Sequence, residues 1–441
     1  MDRLADSLRT VGSKRNRAKG AYLALLVLSA LYFGRPEDLV PGLSQVPLAK
    51  IAGGIAVVAL ILSLMSGRIK EKLALENKFL LAFFGWYCVG ILFATWHGGA
   101  FSTVTTRLSK GIVASLLVSL TVRELWQLKR LIWVQAASVA VVTVASVALH
   151  RTQGGRLMGA SLGILENPND LANNIAMNWP LCVAFFFLAR SIKKVLWAAA
   201  VLIMLLAVEL TYSRSGFLAI ALAAVLVLWE FGVRGRRLYL VLAAGILGVI
   251  VLVASPGHYA ARIASIVTGQ EADTMDRGSR EARKELLVKS VETGLRHPVF
   301  GIGAGNFEVT NGAWRVAHNT YTEIAAEAGL PAFVLFVLVL YRTFFNLRMV
   351  RRSAPYHRDK EMRVITGGLW VSAAAYIVTA FFASTEFNMY PYFLVAYTTA
   401  LYQISGARLE SGNLETGEDP PSTSGRHYGR REARELAGTR G

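Results

Sequence analysis

Only two cysteines, Cys88 and Cys182, occur in this chain of 441 residues. Each lies inside an apolar run and neither belongs to a CxxC or His-rich cluster. That excludes a disulfide framework and a thiolate zinc site, and leaves two small buried hydrophobes. Charge is scarce as well: Asp, Glu, Lys and Arg make up 17% of the residues, against about a quarter in a soluble domain. The sequence has no Walker Lys-Ser/Thr pair to cradle a nucleotide and no HxxxH or Asp-x-Asp cluster, so no cofactor and no metal are expected. No internal repeat of fixed period is visible, which counts against a repeat-built transporter. The basic start (Arg3, Arg9, Lys14, Arg15, Arg17, Lys19) precedes an apolar run without a small-residue cleavage site and is read as a cytoplasmic lead into a retained first span.

What is abundant is apolar surface. Hydrophobic residues reach 54% with a mean hydropathy of +0.43, which makes this an all-α polytopic membrane protein. A spanning helix needs about 20 mostly apolar residues, and that rule predicts about twelve spans: 21–33, 47–66, 78–96, 110–122, 131–149, 171–189, 195–212, 216–231, 238–255, 330–349, 364–383 and 388–405. The formal net charge of +18 would suggest nucleic acid in a soluble protein, but here Lys and Arg fall in alternate short loops, the signature of membrane orientation, and no nucleic-acid partner is expected. The loops with Arg68 to Lys78, Arg123 to Arg130, Arg190 to Lys194, Arg234 to Arg237 and Arg348 to Arg363 lie in the cytoplasm on this rule. The opposite loops are poor in Lys and Arg except for one long segment, 256–329. The chain thus divides into a bundle (1–255), this long outer loop (256–329), a second bundle (330–405) and a Gly/Ser/Pro-rich tail (406–441) expected to be disordered and cytoplasmic.

The chemistry is concentrated on the outer side. Arg214, in Thr211-Tyr212-Ser213-Arg214-Ser215-Gly216, interrupts two apolar runs at the membrane boundary, where a charge is costly unless it faces a polar cavity. Ser213, Ser215 and Gly216 give it small neighbours suited to a close anion. Residues 279–295 read as an amphipathic helix with Ser279 as N-cap and Leu286, Leu287, Val291 and Leu295 at helical spacing. On it Arg280 and Arg283 share a face, and a guanidinium fork suits phosphate. In Pro298 to Phe307, Gly301, Gly303 and Gly305 predict a tight turn that lets backbone approach the membrane surface or a ligand. His318, before Asn319, is a candidate proton acceptor near neutral pH. Glu323 and Glu327 lie one turn apart on one face and are candidates to orient it.

In this order, these stretches resemble the O-antigen ligase and O-antigen polymerase superfamily of bacterial envelope glycosyltransferases. The matching pieces are Asn167-Pro168-Asn169, Thr211 to Gly216, Arg283 with His297 to Gly303, and His318-Asn319 with Glu323, Glu327 and Gly329-Leu330-Pro331, over residues 150–345. The resemblance implies a multi-span inner-membrane enzyme, its site facing the periplasm on loop 256–329. It would pass a glycan from undecaprenyl pyrophosphate to a hydroxyl acceptor without a metal. Arg214 and Arg283, with Arg280 beside them, would bind the donor pyrophosphate, and His318 would be the base. Ser213, Gly303, Asn319, Glu323 and Glu327 would support the site. The implied acceptor is lipid A-core in lipopolysaccharide biosynthesis. The alternatives are a polymerase or protein O-oligosaccharyltransferase of the same superfamily, or a non-enzymatic exporter, whose polar residues should sit mid-span instead.

Overall fold

The computed structural model describes residues 19–39, 42–43, 46–66, 73–159, 167–239, 242, 245 and 274–416, with side chains for all of these except 39, 153, 274–280 and 407–416. The helices used below are α1 (Lys19–Gly34), α2 (Leu48–Met65), α3 (Leu75–Gly90), α4 (His97–Thr103), α5 (Ser109–Thr121), α6 (Leu125–Ala148), α7 (Pro168–Leu188), α8 (Ser191–Leu210), α9 (Arg214–Val227), α10 (Thr274–Arg296), α11 (Asn306–Thr310), α12 (Thr320–Arg352), α13 (Lys360–Phe382) and α14 (Met389–Thr416). The strands among the described residues form one two-stranded hairpin, Thr152–Gln153 with Arg156–Leu157.

Eight of these helices are long and apolar enough to cross a membrane: α2, α3, α6, α7, α8, α9, α12 and α13, with α3 and α9 prolonged to Phe93 and Val233. The all-α polytopic fold expected from composition is the fold observed. The other four expected spans fare differently. Those at 21–33 and 110–122 fall on α1 and α5, of 16 and 13 residues, and 388–405 falls on α14. The segment 238–255 lies almost entirely outside the described residues. Helix α14 runs on to Thr416, so the boundary placed at 406 cuts through a helix, and the tail beyond 416 lies outside the described residues.

Burial sorts the helices into a centre and a rim. The most apolar windows of α7 and α13 are 78% and 72% buried, those of α2 and α8 only 22%, so α7 and α13 form the axis and α2 and α8 face lipid. Where lipid and protein are equally apolar, association needs close packing and interhelical hydrogen bonds. A buried chain of them crosses the axis: Gln135 on α6 donates to Asn178 on α7 at 2.8 Å, Tyr397 on α14 donates to Gln135 at 2.7 Å, and the Tyr390 hydroxyl donates to the Met177 carbonyl at 2.8 Å.

The two ends of the bundle are chemically distinct. At one, the basic end, buried or half-buried ion pairs tie helix starts and stops together: Arg342 to Glu76 at 2.8 Å, Arg351 to Glu230 at 3.0 Å and Lys129 to Glu361 at 2.7 Å. The other, the loop end, gathers the segments expected on the outer side. Arg151 donates to the Asp38 carbonyl at 2.7 Å, Thr95 N–H to Ile302 at 2.8 Å, and Thr320 N–H to Ala383 at 3.1 Å. Exposed Phe93, Trp96, Phe101 and Trp314 fringe this end, as aromatic side chains do at a membrane interface.

One expected outer loop is helical instead. His97 to Arg107 forms α4 and a π turn, Val104–Leu108, that leads straight into α5. Its place between the spans expected at 78–96 and 110–122 suggested a loop, but its hydroxyls bond back along a helix: Thr105 to Phe101 and Thr106 to Ser102, both at 2.7 Å. Polar side chains that satisfy the preceding turn let such a stretch remain helical.

Candidate functional site at the loop end

The first wall is the turn between α8 and α9. Tyr212 takes a left-handed φ of 50°, reversing the chain within three residues. Ser213 then caps α9, its Oγ accepting from Gly216 N–H at 3.2 Å and lying 3.2 Å from Ser215 Oγ. Arg214 is therefore the first residue of α9, at a helix N-terminus whose dipole favours anions. Gly216 is there for contact: a Cβ would come within 2.3 Å of the Ala172 Cβ on α7. This brings the Arg214 turn against the start of α7, where Asn167 caps the helix by accepting from Asn169 N–H at 2.9 Å. Arg156, from the hairpin, joins the two with one guanidinium, donating to the Thr211 carbonyl at 2.8 Å and to Asn169 Oδ1 at 3.0 Å.

The second wall holds His318, in left-handed backbone (φ 55°), a conformation uncommon outside glycine and found where surrounding structure imposes it. The imposition is visible on both sides. Ala317 N–H donates to Glu323 Oε2 at 3.0 Å. Asn319 caps α12 by accepting from Tyr321 and Thr322 N–H at 3.0 and 3.1 Å, and its amide donates to the Phe381 carbonyl at 3.2 Å. Thr320 Oγ1 donates to Ala383 at 2.7 Å. Burial, then the nearby charges of Arg283 and Arg315, pull the His318 imidazole down to about 4. It is neutral at neutral pH and so in the form that accepts a proton, but it titrates below the near-neutral range expected from the sequence and is a weaker base than an ordinary imidazole.

Glu323 therefore holds His318 through the backbone at 317 and not, as expected, through the imidazole. Glu327 is further away in role. Its carboxylate accepts from Gly305 N–H at 2.7 Å and Phe307 N–H at 3.2 Å, so it anchors the glycine turn. That turn packs on the protein itself. A Cβ at Gly301 would lie 2.2 Å from the Glu327 carbonyl carbon, one at Gly303 2.4 Å from the Ala94 Cβ. The backbone approach that these glycines permit is to the chain's own α12 and to the end of α3. Gly329, with φ 78°, breaks α12 so that Leu330 N–H reaches the Pro298 carbonyl at 2.8 Å.

Helix α10 starts at Thr274, five residues before Ser279, which is thus no N-cap. Arg277, Arg280 and Arg283 keep helical spacing on it, but the side chains of Arg277 and Arg280 lie outside the described residues. Its buried face is Leu286, Ser290 and Gly294, where a Cβ on Gly294 would meet the Ala325 backbone at 3.2 Å. Leu287, Val291 and Leu295 are exposed instead, at 37%, 44% and 70%. The small residues won the interface because they let α10 lie close on α12.

Arg283 links the walls, since its charge acts both on His318 and on Asp170, at the start of α7. Asp170 and Asn173 line a narrow cavity of about 40 Å³ with Arg35, Thr385 and Tyr390. The Asn173 amide is 2% exposed, and neither its nitrogen nor its oxygen has a hydrogen-bond partner among the described residues. Such a pocket has room for water or a hydroxyl group. Arg156, Asp170, Asn173 and Arg315 all escaped the sequence reading. Asn169-x-x-x-Asn173 on a capped apolar helix was the one available signal. Among the described residues no three His, Cys, Asp or Glu side chains gather as a metal site.

The site thus offers guanidinium groups at a helix N-terminus and beside a neutral imidazole, an arrangement that can hold an anionic leaving group and take up a proton. Residues 199–337 match the family model described as O-antigen ligase. The matched stretch runs from α8 past Arg214, Arg283 and His318 into α12. No curated protein matches the chain.

Proposed function

We propose that this chain, a member of the O-antigen ligase superfamily by its residues 199–337, is a glycosyltransferase moving a glycan from undecaprenyl pyrophosphate to an acceptor hydroxyl, with lipid A-core as the acceptor. The site would face the periplasm of a bacterial inner membrane. The observation that carries the reading is the joint action of Arg283 on His318 and on the α7 start beside the Arg214 turn.

In the reaction, the acceptor oxygen attacks the anomeric carbon and forms the new glycosidic C–O bond. The bond from that carbon to the pyrophosphate oxygen breaks, and its electron pair leaves with the pyrophosphate. The hydroxyl proton passes to His318 and then to solvent. Arg214 and Arg283, with Arg280 on the same helix, stabilise the growing phosphate charge, the term that dominates when the leaving group is already good. Asn319 and Glu323 hold the base in place. A single displacement inverts the anomeric carbon, and the energy comes from the donor, so the step requires neither nucleotide nor metal. The loop-end location of these groups favours an enzyme over an exporter, whose polar residues belong at mid-span.

The test uses purified protein with undecaprenyl-pyrophosphate-linked glycan and three acceptors: lipid A-core, a growing glycan chain and a serine-bearing protein. Transfer to lipid A-core with inverted configuration by NMR is expected. Transfer only to one of the others would reassign the acceptor and keep the enzyme. Absence of transfer to all three would overturn the reading.

A further inference from the structure

A second cavity, of about 420 Å³, opens between α1, α2 and α5 at the loop end. Leu28, Val57 and Val113 line its apolar wall, and Arg35, Glu37, Lys50 and Lys110 its polar rim. It lies at the rim of the bundle, because one wall is α2, whose most apolar window is only 22% buried and whose Gly54, at the cavity, is exposed. The volume suits the upper part of one lipid chain.

The rim carries an excess of positive charge. Lys50 and Lys110 lie close enough for one charge to act on the other, and Arg107 adds to them. Neither lysine forms an ion pair among the described residues, whereas Arg35 pairs with Asp38. Two ammonium groups facing one cavity repel unless an anion lies between them. The remaining rim group is Glu37, whose Oε2 is buried and accepts no hydrogen bond among the described residues. A buried carboxylate oxygen calls for a donor. The rim therefore asks for a ligand with an anion next to a hydrogen-bond donor, carried on an apolar chain.

We propose that this cavity binds an anionic glycerophospholipid of the phosphatidylglycerol type. One acyl chain lies along the Leu28, Val57 and Val113 wall, the phosphate between Lys50 and Lys110, and a headgroup hydroxyl donates to Glu37. A polyprenyl pyrophosphate fits worse, since it brings a second phosphate and no hydroxyl toward the Glu37 carboxylate. The lipid is distinct from the glycan donor, and the assignment does not rest on the transferase reading. Both cavities share Tyr32 and Arg35, so an occupant here braces one side of the smaller cavity.

Native mass spectrometry of the full chain, released from nanodiscs of phosphatidylcholine with added phosphatidylglycerol, tests this. One phosphatidylglycerol should be retained per chain, favoured over phosphatidylcholine by about 10- to 30-fold from two lysines. The double variant Lys50→Gln, Lys110→Gln should lose the preference, and Lys50→Arg, Lys110→Arg should keep it. Gly54 also lines the cavity, and a Cβ there meets nothing within 4 Å. Gly54→Phe should therefore fill the cavity and displace the lipid with the charges left intact. Equal retention of both lipids, or phosphatidylglycerol retained by Gly54→Phe, would overturn the proposal. So would undecaprenyl pyrophosphate, added in a parallel arm, displacing phosphatidylglycerol from the unmodified chain.

Discussion

The basic end and the loop end of this bundle carry the same kinds of residue and use them in opposite ways. At the basic end, carboxylates meet cations: Glu76 accepts from Arg342 at 2.8 Å and from Asn346 at 3.1 Å, and Glu230 pairs with Arg351. At the loop end, Glu323 and Glu327 accept from backbone N–H groups at 317, 305 and 307. Cations there act on His318 or, at Lys50 and Lys110, on one another, and Arg35 pairs with Asp38 next to it on the short turn after α1. At the basic end the carboxylates engage cations between helices, and at the loop end Glu323 and Glu327 engage the turns that carry His318 and the glycines. The basic end is built to hold helices, and the loop end to hold its turns.

The sharpest way to break this comparison is at His318. His318→Ala should cut turnover about 100- to 10,000-fold while leaving donor binding near normal, measured with purified protein and lipid-linked donor. Normal turnover would remove the base from the mechanism.

At the basic end the loss should be of stability instead. Arg342→Leu leaves the Glu76 carboxylate, 2% exposed, without its cation, a change that costs about 3–5 kcal/mol. Thermal unfolding in detergent should show it, with turnover per folded molecule unchanged. A turnover defect with an unchanged melting temperature would erase the distinction between the ends.

Smaller again is the expected loss at the arginines. Arg214→Ala and Arg283→Ala should each remove about 2–4 kcal/mol of transition-state stabilisation, roughly 30- to 1000-fold in rate. Arg→Lys should recover part, because a lysine lacks the bidentate fork. Unimpaired transfer by both alanine variants would withdraw the pyrophosphate assignment.

The smallest effect is a shift in pH. The imidazole pulled down to about 4 is in its base form above that pH and loses it as pH falls through about 4, so the acid limb of kcat/KM should lie there. Donor pyrophosphate offsets the Arg283 charge, so the limb of kcat should lie higher. Arg283→Ala should also move the free-protein limb upward. A limb already near the ordinary imidazole value in the unmodified protein would contradict the field described here.

Much of the fold was legible, because a run of about 20 apolar residues decides its own fate in a bilayer. Eight expected spans coincide with such helices. Among the described residues, the loop segments around Lys129, Arg234 and Arg351 gather at one end and those around Asp38, Arg151 and Ile302 at the other. Legibility failed where the deciding partner was distant. The glycines of 301–305 suggested a tight turn that brings backbone to the membrane surface or a ligand, yet what they meet is Glu327, Ala94 and Thr103. The expected apolar ridge Leu287, Val291, Leu295 turned outward, since Ser290 and Gly294 permit the closer crossing.

By itself, the sequence determined that the chain is a helical bundle and where eight of its membrane-length helices lie, because hydrophobic length acts locally. It also marked Arg214, Arg283 and His318, whose polarity is conspicuous against apolar surroundings. Only the tertiary structure decided that Arg283 acts on both His318 and Asp170, that Arg156 joins the hairpin to the Arg214 turn, and that Asn173 faces a cavity without a partner. These are relations between residues far apart in the chain, such as Asp170 with Arg283 and Asn173 with Tyr390, and contact over such separations comes from helix packing, which no local pattern encodes.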